Sequence, residues 1–273
     1  MASPTIILPG DTLQLSQPNA PKLGPNLHLL SSQSESQEPQ QASTQIIAAS
    51  QAGLLTSETK RNTTTSVLPF PKTRYTPCQN DLVIAQIHHS SQDFFHCIIT
   101  PNSPHAFLGQ LSFEGATKKT RPQLKAGEIV YARVLSVGVG AGGEIELACV
   151  NTATGKAEPD GLGPLTGGMV FDVSTLFASR LMMTGAERKD GSGPGGVVVL
   201  EELGRKFEGH GGFEVAVGRN GKVWVDSSAE GDVGVRMVVA IGRCLKETDD
   251  KRLDVLGQKK LVLRVLKEMG LGK

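Results

Sequence analysis

Residues 111–122 read Leu-Ser-Phe-Glu-Gly-Ala-Thr-Lys-Lys-Thr-Arg-Pro, a basic loop that lies between segments with the pattern of β-strands. Four cations share the window 115–127, which contains no acidic residue: Lys118, Lys119, Arg121 and Lys125. Cations on a loop that strands hold at both ends can bind a phosphate backbone with little ordering cost. The alternative is a solvated surface loop, because basic runs this short are common on proteins.

Five short strand patterns flank this loop: Leu82–Ile87, Phe94–Ile99, Ala106–Leu108, Ile129–Leu135 and Ile145–Val150. Five strands with the basic loop between the third and the fourth predict a small closed barrel of the OB type. Barrels of this class often bind single-stranded nucleic acid with aromatic and basic side chains on one face.

Aromatic side chains on these strands are candidates for stacking on bases: Phe94, Phe95, His96 and Phe107. Because neighbouring strand residues point to opposite faces, only one of Phe94 and Phe95 reaches the outer face, and the sequence leaves open which one. We predict RNA contacts by Phe95 and His96, and by Arg74 where the chain enters the barrel. Core packing is the alternative for each aromatic side chain.

The chain divides into three predicted regions, residues 1–66, 67–158 and 159–273. The first is expected to be a small β-rich domain with turns at Pro-Gly and Gly-Pro pairs. It contains a Ser/Gln-rich segment, about residues 31–50, whose few apolar side chains cannot offset the entropy of ordering. We therefore expect a disordered insertion there. The second region is the barrel.

The third region has the order β-α-α-β-β-α, followed by one more helix, which is typical of a KH domain. Ser174 is predicted to cap a helix that runs to about Met183, and a second helix is predicted from Val198 to Phe207. KH domains clamp RNA with a G-x-x-G loop. At that position this chain has a loose Gly-rich run, residues 191–196, instead of a compact G-x-x-G.

The sequence Gly218-Arg219-Asn220-Gly221 lies between two alternating strands of this region. Asn-Gly is a strong hairpin signal, and in the two-residue turn that it favours both central residues take positive φ. We predict that Gly218, Asn220 and Gly221 form a structural turn rather than a ligand site.

The charge of the chain is balanced, with 28 Lys and Arg against 27 Asp and Glu. A free-standing nucleic-acid binder usually carries a marked basic excess. RNA binding is therefore expected through a local patch or through a surface that partner subunits complete.

No metal site or cofactor is expected. No nucleotide-binding motif occurs. The four cysteines are scattered, without C-x-x-C spacing or a His at zinc-finger spacing. They are Cys78, Cys97, Cys149 and Cys244. They are interpreted as core or incidental thiols in a reducing compartment. The N-terminus lacks a signal-peptide pattern and no apolar run approaches about 18 residues, so we expect a soluble intracellular protein.

Catalysis is not expected either. A two-metal nuclease needs several converging carboxylates. Asp249, Asp250 and Asp254 lie where one predicted helix ends and the next begins, which favours helix capping. His96 and Cys97 are strand neighbours that point to opposite faces, so they cannot form a catalytic dyad.

Several stretches, in this order and spacing, resemble the eukaryotic exosome cap subunits of the ribosomal RNA-processing protein 40 family, also called exosome component three. They span nearly the whole chain: Leu8–Asp11, Arg74–Pro77, Phe113–Pro122, Gly161–Leu165 and Gly218–Val225. The resemblance implies an N-terminal β domain, a central S1-type OB barrel and a C-terminal KH domain. It also implies that the G-x-N-G turn is structural, at the packing between KH and S1 domains.

In that family, cap subunits sit on a ring of six inactive RNase PH-like proteins and guide RNA into its channel, while associated nucleases degrade the RNA. The resemblance thus implies a non-catalytic subunit without a cofactor. Its implied partners are single-stranded RNA 3' ends, the RNase PH-like ring subunits and the other S1/KH cap subunits. The implied location is the nucleus and nucleolus, and also the cytoplasm.

Two alternatives stay open from the residues. One is an independent S1/KH factor that acts in translation or ribosome assembly and binds RNA alone with a steep salt dependence. The other is a structural subunit whose basic loop contacts protein rather than RNA.

Overall fold

The computed structural model describes eleven stretches of the chain: residues 5–14, 22–23, 27–30, 46–49, 52–60, 62–69, 74–138, 143–151, 154–183, 196–229 and 231–271. Contacts within the chain divide it into two compact units, Met1–Thr73 and Arg74–Lys273.

The N-terminal unit is built from strands β1 (Thr5–Ile7), β2 (Thr12–Gln14), β3 (Lys22–Leu23), β4 (Leu27–Leu30), β5 (Ile46–Ala49), β6 (Gly53–Lys60) and β7 (Asn62–Pro69). They form two sheets, with the orders β1-β6-β7-β3 and β2-β5-β4. β-branched side chains favour this pleated arrangement, and Ile7, Ile47 and Val67 are buried together. The expected N-terminal β domain is confirmed.

Two details of the prediction for this unit are wrong. Strand β5 lies inside the segment 31–50 that we expected to be disordered, because the Ile-Ile-Ala-Ala run buries Ile47 completely. The rest of that segment lies outside the described residues. Strand β7 extends to Pro69, so the boundary expected after residue 66 falls within a strand.

The barrel contains strands β8 (Leu82–Ser90), β9 (Phe94–Ile98), β10 (Ala106–Phe113), β11 (Ile129–Val137) and β12 (Ile145–Cys149). Their order is β12-β10-β9-β8-β11, and pairing of β12 with β11 closes the barrel. The β10–β12 pairing is parallel. The predicted five-stranded OB barrel is confirmed.

A further strand, β13 (Gly163–Leu165), pairs with residues Ile129–Tyr131 of β11, on the edge that does not face β8. Leu162, just before it, is buried in the barrel core. The boundary expected after residue 158 therefore falls short of the end of the barrel domain.

The C-terminal domain contains β14 (Met169–Asp172), α1 (Thr175–Leu181), α2 (Val199–Phe207), β15 (Phe213–Gly218), β16 (Lys222–Ser227), α3 (Gly231–Lys251) and α4 (Val255–Glu268). The antiparallel sheet has the order β14-β16-β15. Apolar residues of the helices and the sheet form one core, which includes Phe177, Phe207 and Ile241. The predicted KH fold is confirmed.

Polar caps fix the ends of these helices. Ser174 accepts a hydrogen bond from the Phe177 N–H, as predicted, although α1 ends at Leu181 rather than near Met183. Asp249 accepts hydrogen bonds of 2.6 Å from both the backbone N–H and the hydroxyl of Ser174. Asp254 caps α4 by accepting from the Gly257 N–H. The Gly-rich run 191–195 lies outside the described residues.

Cys97, Cys149 and Cys244 are buried, Cys78 is half-buried, and all four are free thiols. Burial raises the pKa of Cys97 and of Cys244 to about 12, so both stay protonated at neutral pH. Among the helices that the structure describes, none combines the length and the apolar character that crossing a bilayer requires.

Candidate nucleic-acid interface

The basic loop between β10 and β11 is held by its own hydrogen bonds. The Thr120 and Arg121 N–H groups both donate to the Thr117 carbonyl, at 3.1 and 2.9 Å, and the Thr120 hydroxyl donates to the Gly115 carbonyl. At the far end of the loop, the Gly127 N–H donates to the Ile87 carbonyl on β8. The backbone that carries the cations is therefore ordered before any ligand binds, which lowers the entropic cost of binding.

The structure brings two of the predicted cations together. Lys118 and Arg121 lie in the wall of an open groove of about 370 Å³ beside the end of β10. The residues that line this groove are Gln92, Asp93, Gly109, Gln110, Leu111, Ser112, Lys118 and Arg121. Lys118 and Lys119 are exposed. Arg121 is half-buried, and its Nε atom has no hydrogen-bond partner among the described residues. That Nε atom is buried, so it is not itself a surface donor for a phosphate oxygen.

The other two predicted cations are placed differently. Lys125 is exposed, but it is not part of the groove lining. Arg74 is also exposed and outside that lining, and its guanidinium donates to the Asn102 carbonyl at 2.7 Å. Asp93 is the one acidic side chain in the lining and opposes anion binding there.

The prediction that Phe95 contacts RNA is wrong. Phe95 is buried in the barrel core, with its ring 6.3 Å from that of Phe113 at an interplanar angle of 82°. Strand alternation then directs Phe94 outward, where it is 45% exposed. Alternation alone allows either Phe94 or Phe95 to face outward. Only the register of β9 in the closed barrel selects Phe94.

Phe94, His96 and Phe107 form the aromatic face on the outside of the barrel. His96 lies opposite Phe107 in the β9–β10 ladder, and their ring centroids are 5.0 Å apart. The rings of Phe94 and Phe107 are 6.3 Å apart in an edge-to-face contact. Gly109 pairs with Phe94 and also lines the groove, so the aromatic face and the groove form one continuous surface.

Next to this face lies a group of histidines that the sequence reasoning missed. Between β8 and β9, Ile87 pairs with Cys97 but His89 pairs with His96, so β8 holds one extra residue in a β-bulge. The bulge interrupts strand alternation, and His88 and His89 lie with their Nδ1 atoms 2.8 Å apart. The adjacent histidines are visible in the sequence, whereas the bulge that turns them together is not.

Two further histidines join this group. His89 stacks on His96 with ring centroids 4.0 Å apart, and His88 lies 4.5 Å from the ring of His105. Partial desolvation, together with the neighbouring His96 and His88, lowers the pKa of His89. The neutral imidazole of His89 is therefore favoured at physiological pH.

The Gly218–Gly221 turn joins the KH domain to the barrel. The Asn220 side-chain amide donates to the carbonyls of Ile84 and Ile99, both at 2.8 Å, and accepts from the Ile84 N–H at 3.3 Å. The Arg219 N–H donates to the Leu82 carbonyl. The Arg219 guanidinium lies 3.3 Å from the Asp81 carboxyl group. Burial raises the pKa of Asp81. These contacts occupy the polar groups of the turn within the protein.

The turn itself differs from the predicted geometry. Gly218 pairs with Lys222, so the loop has three residues, and only Gly221 takes a positive φ, of 78°. The Gly221 N–H donates to the Gly218 carbonyl, which is the pattern of a turn followed by a left-handed residue. Gly218 has no room for a side chain, because a Cβ there would lie 2.7 Å from the Ile84 nitrogen.

The comparisons agree with this architecture. The family model "Exosome complex component RRP40, S1 domain" matches residues 75–163, and a KH domain model matches residues 168–231. A crystal structure described as that of an exosome complex RNA-binding protein covers 73% of this chain and 99% of its own, with a TM-score of 0.50 and 20% identity. That likeness shows a shared fold.

Curated relatives extend the match beyond these domains. The exosome complex component RRP40 of Saccharomyces cerevisiae is 31% identical over 221 residues, 81% of each chain. The Schizosaccharomyces pombe relative of the same name is 32% identical over 241 residues, 88% of this chain and 86% of its own. The Drosophila melanogaster relative is 30% identical over 228 residues, which is 82% of each chain. On these grounds, the chain belongs to the exosome complex component RRP40 family.

Proposed function

We propose that this chain is an RNA-binding cap subunit of the RNA exosome, and that it contacts single-stranded RNA through the continuous groove and aromatic face of the barrel. The observation that carries this proposal is the placement of Lys118 and Arg121 in a groove whose lining residue Gly109 pairs with the outward-facing Phe94. Cations and exposed rings then follow one another along a single surface. This is the combination that binds a single strand without reading its sequence.

Each part of this surface has its own role. Lys118, Lys119 and Arg121 neutralise phosphates, and Phe94, His96 and Phe107 offer rings against which bases stack. Three phosphate contacts on a chain of net charge +1 give only weak binding by the isolated protein. Within a complex, neighbouring subunits confine the RNA and raise its effective concentration at the loop.

We further propose that the subunit guides single-stranded 3' ends into the channel of the complex and leaves their degradation to associated nucleases. Its partners would be the RNase PH-like ring subunits and the other S1/KH cap subunits, in the nucleus, the nucleolus and the cytoplasm. A non-catalytic role is supported by two of the three clustered carboxylates, because both already have structural partners. Asp249 accepts two hydrogen bonds from Ser174, and Asp254 caps α4.

The test compares two triple variants in the reconstituted complex. Changing Lys118, Lys119 and Arg121 to Ala should leave assembly intact, weaken RNA protection, and reduce the salt slope by about 0.7 per lost phosphate contact. The control removes the same charge from exposed lysines of the KH domain, by changing Lys206, Lys246 and Lys260 to Ala. Equal protection and equal salt slopes in both variants would show that the loop does not bind RNA.

A further inference from the structure

The histidines next to the aromatic face present a set of nitrogen ligands. His88, His89 and His105 each offer a ring nitrogen, and the three atoms lie within 4.8 Å of one another. Zinc binds imidazole nitrogen at about 2.0–2.1 Å in tetrahedral sites, which places ligand atoms about 3.3 Å apart. The 2.8 Å separation of the His88 and His89 Nδ1 atoms is already close to this value. His88 and His89 are exposed, so small rotations of their side chains can adjust the remaining distances.

We propose that His88, His89 and His105 form a binding site for a divalent transition-metal ion of the zinc class on the outer surface of the barrel. This inference is independent of the proposed RNA-binding function. It departs from the expectation of no metal site, which rested on the spacing of cysteines, histidines and carboxylates along the sequence.

The fold holds the three side chains together by backbone features. The bulge in β8 places His88 and His89 side by side, and His105 directly precedes β10, which is two strands away in the sheet. His96 stacks on His89 at an interplanar angle of 14° and so limits the rotation of that ring. Such support from a neighbouring side chain, one that is not itself a ligand, is what a metal site needs to keep its ligands oriented.

The ligand chemistry selects the class of ion. Three imidazoles without a carboxylate favour zinc, nickel or copper over magnesium or calcium, which prefer oxygen. Ligation needs the neutral imidazole, whose ring nitrogen has a free lone pair. Three protein ligands leave a fourth coordination position for water or for another ligand.

The experiment titrates the full-length protein, without an affinity tag and stripped of metal by a chelator, with Zn²⁺ in competition with a fluorescent zinc indicator. We expect saturable binding of one ion per chain. His88→Ala and His105→Ala should each weaken the affinity by about 100-fold or more, since loss of an outer-shell partner alone costs about 10–100-fold. His210→Ala, in the KH domain, and Cys78→Ser, at the half-buried thiol, should both bind like the unaltered protein.

A second measurement makes the ligand assignment independent of folding. Co²⁺ bound at this site should show visible absorption from nitrogen and oxygen ligands without a thiolate charge-transfer band. Three results would overturn the proposal: no saturable Zn²⁺ binding, unchanged affinity in both histidine variants, or a thiolate band that disappears in Cys78→Ser. Because Zn²⁺ is added without RNA, failure here leaves the RNA-binding test unaffected.

Discussion

Asn220 and Ile84 are joined by two hydrogen bonds across the boundary between the KH domain and the barrel. The Asn220 Nδ2 donates to the Ile84 carbonyl at 2.8 Å, and the Ile84 N–H donates to Oδ1 at 3.3 Å. A side-chain amide thus pairs with β8 at Ile84, beyond the last residue of β9, as a neighbouring backbone would. The same Nδ2 also donates to the Ile99 carbonyl.

Asn220→Ala should lower the free energy of unfolding by about 2–4 kcal/mol, because it leaves three backbone groups at the boundary without partners. Chemical denaturation measures the change. The control is Gln79→Ala at an exposed position, which should change stability by less than about 0.5 kcal/mol. A loss for Asn220→Ala no larger than that of the control would show that water replaces these bonds freely.

Gly221 and Gly212 allow backbone strain to be separated from steric clash. Both have φ near +78°, but a Cβ at Gly221 would lie 2.5 Å from the Val173 carbonyl oxygen, whereas a Cβ at Gly212 meets nothing within 4 Å. Gly212→Ala should therefore cost about 1 kcal/mol, and Gly221→Ala at least about 1 kcal/mol more. Thermal and chemical denaturation of the two variants test this difference. Equal losses would mean that the backbone at Val173 moves aside without cost.

Phe94 and Phe95 should respond in opposite ways to truncation. Phe95→Ala removes a buried ring and should destabilise the protein by about 3–5 kcal/mol. Phe94→Ala should leave stability nearly unchanged and weaken binding of single-stranded RNA by the complex, by about 1–3 kcal/mol for each stacked base. Denaturation and filter binding measure the two effects. If RNA binding by Phe94→Ala were unchanged, the aromatic face would not be part of the interface.

Glu247 links α3 to α4 and predicts a pH-dependent contribution to stability. It accepts from Lys251 at 2.5 Å, from Arg264 at 2.7 Å and from Arg243 at 3.1 Å. The pKa of this carboxyl is lowered in the folded protein, and the hydrogen bond from Lys251 is the main cause. The contribution is therefore present above the pKa of the unfolded chain, about 4.3, and disappears as the pH falls through the lower folded value.

Glu247→Gln should accordingly lose about 0.5–1 kcal/mol at pH 7 and much less near pH 3. Urea denaturation at the two pH values gives the comparison. Glu214→Gln, at an exposed position on β15, should show no such dependence. A Glu247→Gln loss that stayed constant from pH 7 to pH 3 would rule out the charge as its cause.

Periodicity and turn residues predicted the strands of the barrel, the order of the KH elements and the Ser174 cap, because these depend on local patterns. The features that these local patterns did not predict depend on which strand residues pair with each other. Phe94 and Phe95 satisfy strand alternation equally well in either phase. The bulge at His88 and His89 is a mismatch between two strands, and the three-residue turn at Gly221 follows from the pairing of Gly218 with Lys222.

Three consecutive residues of β8, Val83, Ile84 and Ala85, are buried, although a strand of an isolated barrel should alternate between core and solvent. Ile84 faces the KH turn, and Trp224 of β16 in turn belongs to the barrel core. We therefore expect the two domains to unfold together in a single transition, because each completes the core of the other at this boundary. A barrel excised at residue 165 would expose the Ile84 side chain to water and would leave three backbone groups of Ile84 and Ile99 without the partners that Asn220 supplies.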